Sequence, residues 1–123
     1  MAKYNQPMFE CFKRGAEVQT KLTELKSLGW DITRNVAAEA GNSDSAEVTP
    51  VLKEHITKFN AIILALDSDY QVDDCISNDQ KAWIRTMRLA WHDMVVPMPE
   101  KIPTSWRVDL PKLVHNIESG IFG

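Results

Sequence analysis

The sequence predicts an all-α fold, a small antiparallel helical bundle that forms a single domain over residues 1–123. Apolar residues recur every three or four positions in three long segments, and capping residues or prolines mark the starts of these segments. No sustained two-residue alternation indicates a β-strand. Connectors of modest length between amphipathic helices favour antiparallel neighbours. The hydrophobic fraction of 44% and charged fraction of 25% are typical of a globular chain.

The first long helix is predicted over residues 7–28. Pro7 is a typical first-turn residue, and Gly29 follows the last apolar position as a left-handed cap. In this interpretation Trp30 packs back on Leu25. The buried seam consists of Met8, Cys11, Gly15, Val18, Leu22 and Leu25.

A short helix is predicted over residues 32–40, and a second long helix over residues 50–66. Thr49 followed by Pro50 is a strong start signal, since the residue before proline avoids the helical region and proline fits the first turn. The seam of this second long helix consists of Leu52, Ile56, Phe59, Ile63 and Leu66. We expect this helix to be central in the core and Phe59 to be almost fully buried.

The third long helix is predicted over residues 78–96, between a capping box at Ser77 and Gln80 and a stop at Pro97. A last, short helix is predicted over residues 110–119. Placing residues at 100° intervals puts a broad apolar face on the third long helix. That face consists of Trp83, Ile84, Met87, Ala90, Trp91, Met94 and Val95.

The net charge of −3 is unevenly distributed along the chain. Residues 39–79 hold nine acids and two bases, while the rest of the chain is net basic. The two cysteines, Cys11 and Cys75, form no C-x-x-C pair and are too few for a disulfide framework, so we expect reduced thiols and a cytoplasmic location. The longest apolar run is far shorter than the roughly 20 residues of a membrane helix, so no membrane role is expected.

No pattern indicates an enzyme, a cofactor or a metal site. The sequence contains no nucleophile elbow, phosphate-binding loop or dinucleotide-binding fingerprint. The histidines His55, His92 and His115 fall on three different predicted helices, without metal-ligand spacing. An acidic run from Asp67 to Asn78 lacks the glycine and the final glutamate of a calcium loop.

A basic stripe follows the third long helix. Lys81, Arg85, Arg88 and His92 are spaced by four, three and four residues, so they share one side of the helix, about 120° from the tryptophan face. This stripe could contact phosphates, an acidic partner or the acidic segment of the same chain. The ordinary alternative is a solvated helix side. His92 is the member whose charge changes near neutral pH.

The tryptophan face of the same helix is the second candidate interaction surface. Trp83 and Trp91 lie two turns apart and serve equally well as core or as an apolar groove for a partner. A chain this small has difficulty burying three amphipathic stripes and four tryptophans, which favours a homodimer.

These features predict a non-enzymatic protein-interaction factor that self-associates, of the small accessory or inhibitory type found in phages and mobile elements. One alternative is a nucleic-acid-binding protein that uses the basic stripe. Its weakness is the acidic pI of about 5.6. Another alternative is a small-ligand-binding bundle with a pocket lined by Phe59, Trp83, Met87 and Trp91.

Overall fold

The described part of the chain forms a ring of four α-helices. A computed structural model describes the backbone of residues 2–40 and 46–122 and the side chains of residues 11–39 and 46–120. The helices are α1 (Ala2–Ala40), α2 (Pro50–Tyr70), α3 (Asn78–Val95) and α4 (Trp106–Phe122). Each helix packs against its two neighbours in the ring, with α1 between α2 and α4 and α3 opposite α1. The predicted all-α bundle is therefore confirmed.

Neighbouring helices run in opposite directions. Asn60 of α2 accepts a hydrogen bond from Trp91, whereas Asp67, farther along α2, contacts Arg85, which precedes Trp91 in α3. The same reversal relates α1 to α2 through the pairs Glu17–Tyr70 and Asn35–His55, and α3 to α4 through the pairs Trp83–Gly120 and Met94–Trp106. The predicted antiparallel arrangement is confirmed.

The second helix packs against two neighbours, α1 and α3, and buries the seam that the sequence predicts. Thr49 caps its first turn by accepting a bond from the Leu52 amide at 3.2 Å, and Pro50 occupies the first helical position. Phe59 is 0% exposed and Ile63 is 1% exposed. The helix ends at Tyr70 rather than at residue 66, because Asp67 and Tyr70 are also buried and extend the seam by one turn.

The first helix is one continuous element, and the predictions of a stop at Gly29 and of a separate helix over residues 32–40 are wrong. Gly29 is buried and has no positive φ angle, so it does not act as a left-handed cap. A Cβ at this position would meet Val114 Cγ2 at 2.7 Å and Phe59 Cε2 at 3.4 Å. Glycine therefore permits close packing of α1 against its neighbours. Trp30 lies edge-on to His115, 5.0 Å away, instead of packing back as a cap.

Three other helix boundaries differ from the prediction, and one of them is the end of the last helix, at Phe122 rather than at residue 119. The first helix begins at Ala2 rather than residue 7, since a proline close to a helix start removes only one backbone bond. The last helix begins at Trp106, four residues early, and includes Pro111. Its first bonds span three residues, as in Trp106 N to Pro103 O at 3.1 Å, so a tight turn starts the helix upstream of the proline. The third helix, capped by Ser77, is confirmed to within one residue.

The α1–α2 and α3–α4 connectors meet at one end of the bundle. Val48 N donates to Glu100 O at 2.9 Å, and Ile102 N donates to Ala46 O at 2.8 Å, around an isolated antiparallel bridge between Glu47 and Lys101. Within the described ranges no strand forms besides this bridge. The pairing satisfies backbone groups of both connectors.

The opposite end of the bundle carries a disulfide bond between Cys11 of α1 and Cys75 of the α2–α3 connector. The prediction of two reduced thiols is therefore wrong. The residues are 64 positions apart in sequence, but the fold brings their Cα atoms to 4.7 Å. The adjoining contact from Arg14 Nε to Asp73 Oδ2 at 3.1 Å also joins α1 to this connector.

Candidate interaction surfaces

The basic stripe of α3 is joined to α2 by a buried carboxylate. Asp67, only 5% exposed, accepts a bond from Arg88 Nε at 2.6 Å and lies 3.2 Å from Arg85 Nε. The two guanidinium groups compensate the negative charge of the buried carboxylate. Removal of the carboxylate, or of the guanidinium groups, would leave a charge without its partner. Two of the four stripe residues therefore have a structural role within the chain.

The other two stripe residues have weaker contacts. Lys81 is half-buried, and its backbone carbonyl accepts a 2.7 Å bond from the Gln71 side chain. His92 is exposed, with its Nδ1 3.9 Å from the Asp93 carboxylate. The carboxylates of Asp67, on α2, and Asp93 thus contact members of the stripe and lower its positive potential.

Trp91 belongs to the core and cannot line a surface, so its prediction as part of an interaction surface is wrong. The residue is 1% exposed, its ring centroid is 4.0 Å from that of Phe59, and its Nε1 donates to Asn60 at 3.2 Å. The helix face containing it turns directly toward α2. Aromatic residues buried in this way contribute packing area and need a partner for the indole N–H.

A very small cavity lies between the four helices, and neither Phe59 nor Trp91 lines it. This cavity has a volume of about 10 Å³, which is at the lower limit for a single water molecule. Its lining includes Met87 and Trp83. Phe59, Met87 and Trp91 are buried in the core of this region.

Trp83 instead contributes to an open cleft at the disulfide end of the bundle. The cleft has a volume of about 870 Å³ and lies between α1, the start of α3 and the end of α4. Trp83 packs against Gly120, where any Cβ would collide with the indole ring. Phe12, on the α1 side, is 83% exposed. The cleft therefore presents one half-buried and one exposed aromatic ring.

The Cys11–Cys75 disulfide forms part of the cleft rim. Arg14 bonds Glu17 Oε2 at 3.1 Å, and the Tyr70 hydroxyl donates to the same carboxylate at 3.4 Å. Burial and the Glu17 carboxylate both raise the pKa of Tyr70. The sequence pattern gives no signal that the disulfide, Arg14, Glu17 and Tyr70 lie together, because these residues come from α1, α2 and the α2–α3 connector.

Two further structural results bear on function. Across the residues that the structure describes, no three His, Cys, Asp or Glu side chains cluster closely enough to hold a metal ion. The same residues include no helix that is long and apolar enough to cross a membrane. Comparisons with protein-family models, with curated proteins and with solved structures found no match to this chain.

Proposed function

We propose that this chain is a non-enzymatic interaction domain that binds another protein through the cleft at the disulfide end and also self-associates. The observation that carries the proposal is the pair of aromatic residues in the cleft, with Phe12 83% exposed and Trp83 half-buried behind it. Exposed aromatic side chains beside a concave surface are typical anchors for a partner.

The charge around the cleft favours a cationic amphipathic helix as the partner. Asp79 lines the cleft and is exposed, and the other residues that line it carry no charge. A helix with an apolar face could bury that face against Phe12 and Trp83, while its basic flank contacts Asp79. Burial of one phenylalanine contributes about 1.5–3 kcal/mol, so the rest of the apolar face and the charge contacts must add to it for binding to be measurable.

Fluorescence anisotropy with designed peptides tests this proposal. One labelled amphipathic peptide has leucines on one face and lysines on the other, and a matched peptide has glutamates in place of the lysines. We expect the lysine peptide to bind and Phe12→Asp to weaken binding by more than about tenfold. Val108→Asp, an exposed change at the far end of α4, is the control and should have no effect. Equal binding of both peptides, or no effect of Phe12→Asp, would contradict the proposal.

Nucleic-acid binding through Lys81, Arg85, Arg88 and His92 ranks behind this proposal. Asp67 occupies the Nε groups of both arginines, and the chain is net acidic. A gel-shift titration at low salt, where phosphate contacts are strongest, separates the two functions. A shift that disappears with Lys81→Glu would favour the nucleic-acid alternative.

The disulfide also bears on location. The prediction of a cytoplasmic location rested on reduced thiols, and disulfides are rare in cytosolic proteins. We therefore propose that the domain works in an oxidising compartment. The intact mass of the protein after thiol alkylation in the native host tests this proposal, since two alkylated cysteines would contradict it.

A further inference from the structure

One wall of the cleft is a segment of α1 that is not anchored in the core. Over residues 11–17, which we call the α1 wall, no residue is buried, and the first buried residue among the described side chains of this helix is Val18. Cys11, Phe12 and Gly15 of the α1 wall line the cleft. Because helices in proteins are held mainly by the packing of an apolar face, this segment depends on other attachments.

The disulfide and two polar contacts join the α1 wall to α2 and to the α2–α3 connector. Arg14 Nε lies 3.1 Å from Asp73 Oδ2, and the Tyr70 hydroxyl donates to Glu17 Oε2 at 3.4 Å. The side chains of Arg14 and Glu17 are 46% and 42% exposed. Since polar contacts of exposed charged side chains contribute little to stability, the disulfide is the main attachment of the α1 wall.

The opposite wall of the cleft is held by the core. It consists of the start of α3 and the end of α4, where Trp83 packs against Gly120. Ile84, next to Trp83, is 2% exposed, and Ile117, one turn before Gly120, is 0% exposed. Loss of the disulfide would therefore release one wall of the cleft and leave the other in place.

The disulfide is within reach of a reductant. Cys11 lines the cleft, and both cysteines are half-buried. Disulfides that solvent can reach are the ones that exchange readily with thiols. One thiolate of a dithiol attacks Cys11 Sγ, the S–S bond breaks, and Cys75 leaves as a thiolate that takes up a proton. The second thiol of the dithiol then displaces Cys11 in the same way, so both cysteines end reduced and the dithiol ends as a disulfide.

We propose that the Cys11–Cys75 disulfide is a redox switch for the cleft. The oxidised chain holds the α1 wall in place and binds its partner, and reduction by a dithiol releases both the wall and the partner. This inference rests on the proposed function of the cleft. It agrees with the proposed oxidising compartment, because binding would occur there and end on transfer to a reducing one. If the released wall is ordered for about one-tenth of the time, the affinity falls about tenfold.

Limited trypsin digestion tests the release of the α1 wall without any ligand. Lys13 and Arg14 are exposed sites in the wall, while Arg34 is an exposed site in the anchored part of the same helix. The buried residues Ile32 and Val36 flank that control site. Dithiothreitol should accelerate cleavage in the wall by more than about tenfold and leave cleavage after Arg34 unchanged.

The masses of the tryptic fragments are measured after complete reduction, because the disulfide otherwise retains the first fragment. Equal cleavage of the wall with and without dithiothreitol would overturn the proposal. Equal acceleration in the wall and at Arg34 would also overturn it, since it would indicate unfolding of the whole chain.

Fluorescence anisotropy with the lysine peptide, which contains no cysteine, tests the consequence for binding. We expect the reduced chain to bind about tenfold more weakly than the oxidised chain. The double variant Cys11→Ser/Cys75→Ser should bind as weakly as the reduced chain, with or without dithiothreitol. Equal binding by the oxidised and reduced chains would overturn the switch and leave the proposed function standing. Absence of binding by the oxidised chain would instead overturn the proposed function together with the switch.

Discussion

Gly29 of α1 and Val114 of α4 approach so closely that a Cβ at position 29 would lie 2.7 Å from Val114 Cγ2. We expect Gly29→Ala to lower the free energy of unfolding by about 1–3 kcal/mol, because overpacking exceeds the gain in helix propensity. Gly15, in the same helix, has open space where its Cβ would be. Gly15→Ala should therefore stabilise the chain by about 0.5–1 kcal/mol. Urea unfolding of both variants measures the difference, and equal effects would contradict the close approach.

The core position of Phe59 predicts a large effect of truncation. Phe59 is fully buried against Trp91, so Phe59→Ala should cost about 3–5 kcal/mol through lost burial and a residual cavity. Lys58 is exposed and pairs only with Glu54 on the same helix. Lys58→Ala should change stability by less than about 0.5 kcal/mol. Thermal melts with the same midpoint for both variants would show that the wrong face of α2 had been placed in the core.

The disulfide predicts a stability that depends on reductant. Cross-linking residues 64 positions apart restricts the unfolded chain by about 4 kcal/mol in the chain-entropy description. Urea unfolding should therefore shift to lower concentration when a phosphine reductant is added. The double variant Cys11→Ser/Cys75→Ser should show no such shift. A wild-type protein that is indifferent to reductant would argue against the bond.

Because the Asp67 carboxylate is buried between α2 and α3, we expect the nearly isosteric change Asp67→Asn to lower the stability of the chain. Asp67→Asn removes the charge that compensates Arg85 and Arg88, which are partly exposed and can recover some solvation. We therefore expect a loss of about 1–3 kcal/mol. Asp69→Asn, two residues away and exposed, should stay within about 0.5 kcal/mol. Chemical denaturation of the two variants compares them, and a neutral Asp67→Asn would show that the ion pairs contribute little.

Tyr70 predicts a loss of stability at alkaline pH. Burial and Glu17 raise its pKa in the folded state above the ordinary value of 10.0. The unfolded chain therefore releases the tyrosine proton first, so this contribution is complete below pH 10 and is lost as the pH rises through the folded-state pKa. Tyr70→Phe should show a shallower decline of stability above pH 10 than wild type. Denaturation midpoints across this pH range measure it, and parallel declines would contradict the raised pKa.

The sequence predicts the parts of the fold whose signals are local. Thr49 and Pro50 define the start of α2, and Ser77 defines the start of α3, because each cap acts on backbone groups within the next turn. The apolar spacing then identifies the face that is buried. The same spacing could not decide whether Trp91 packs inside or lines a groove, since both require an apolar helix face.

The features that the sequence does not reveal depend on distant neighbours. A glycine after a run of apolar helix positions, such as Gly29, can either end the helix or make space for a neighbouring side chain. Only the packing of Val114 of α4 against Gly29 decides between these roles. Cys11 and Cys75 become neighbours only when the α2–α3 connector meets α1. The cleft likewise requires α4 to place Gly120 against Trp83.

The two ends of the bundle are held by links of different chemistry. Backbone pairing of Val48 with Glu100 closes one end, and the Cys11–Cys75 bond closes the end that carries the cleft. A reducing agent acts on the second link alone. After reduction, amide hydrogen exchange should accelerate first around the cleft while the paired connectors keep their protection, so opening would proceed from one end of the molecule.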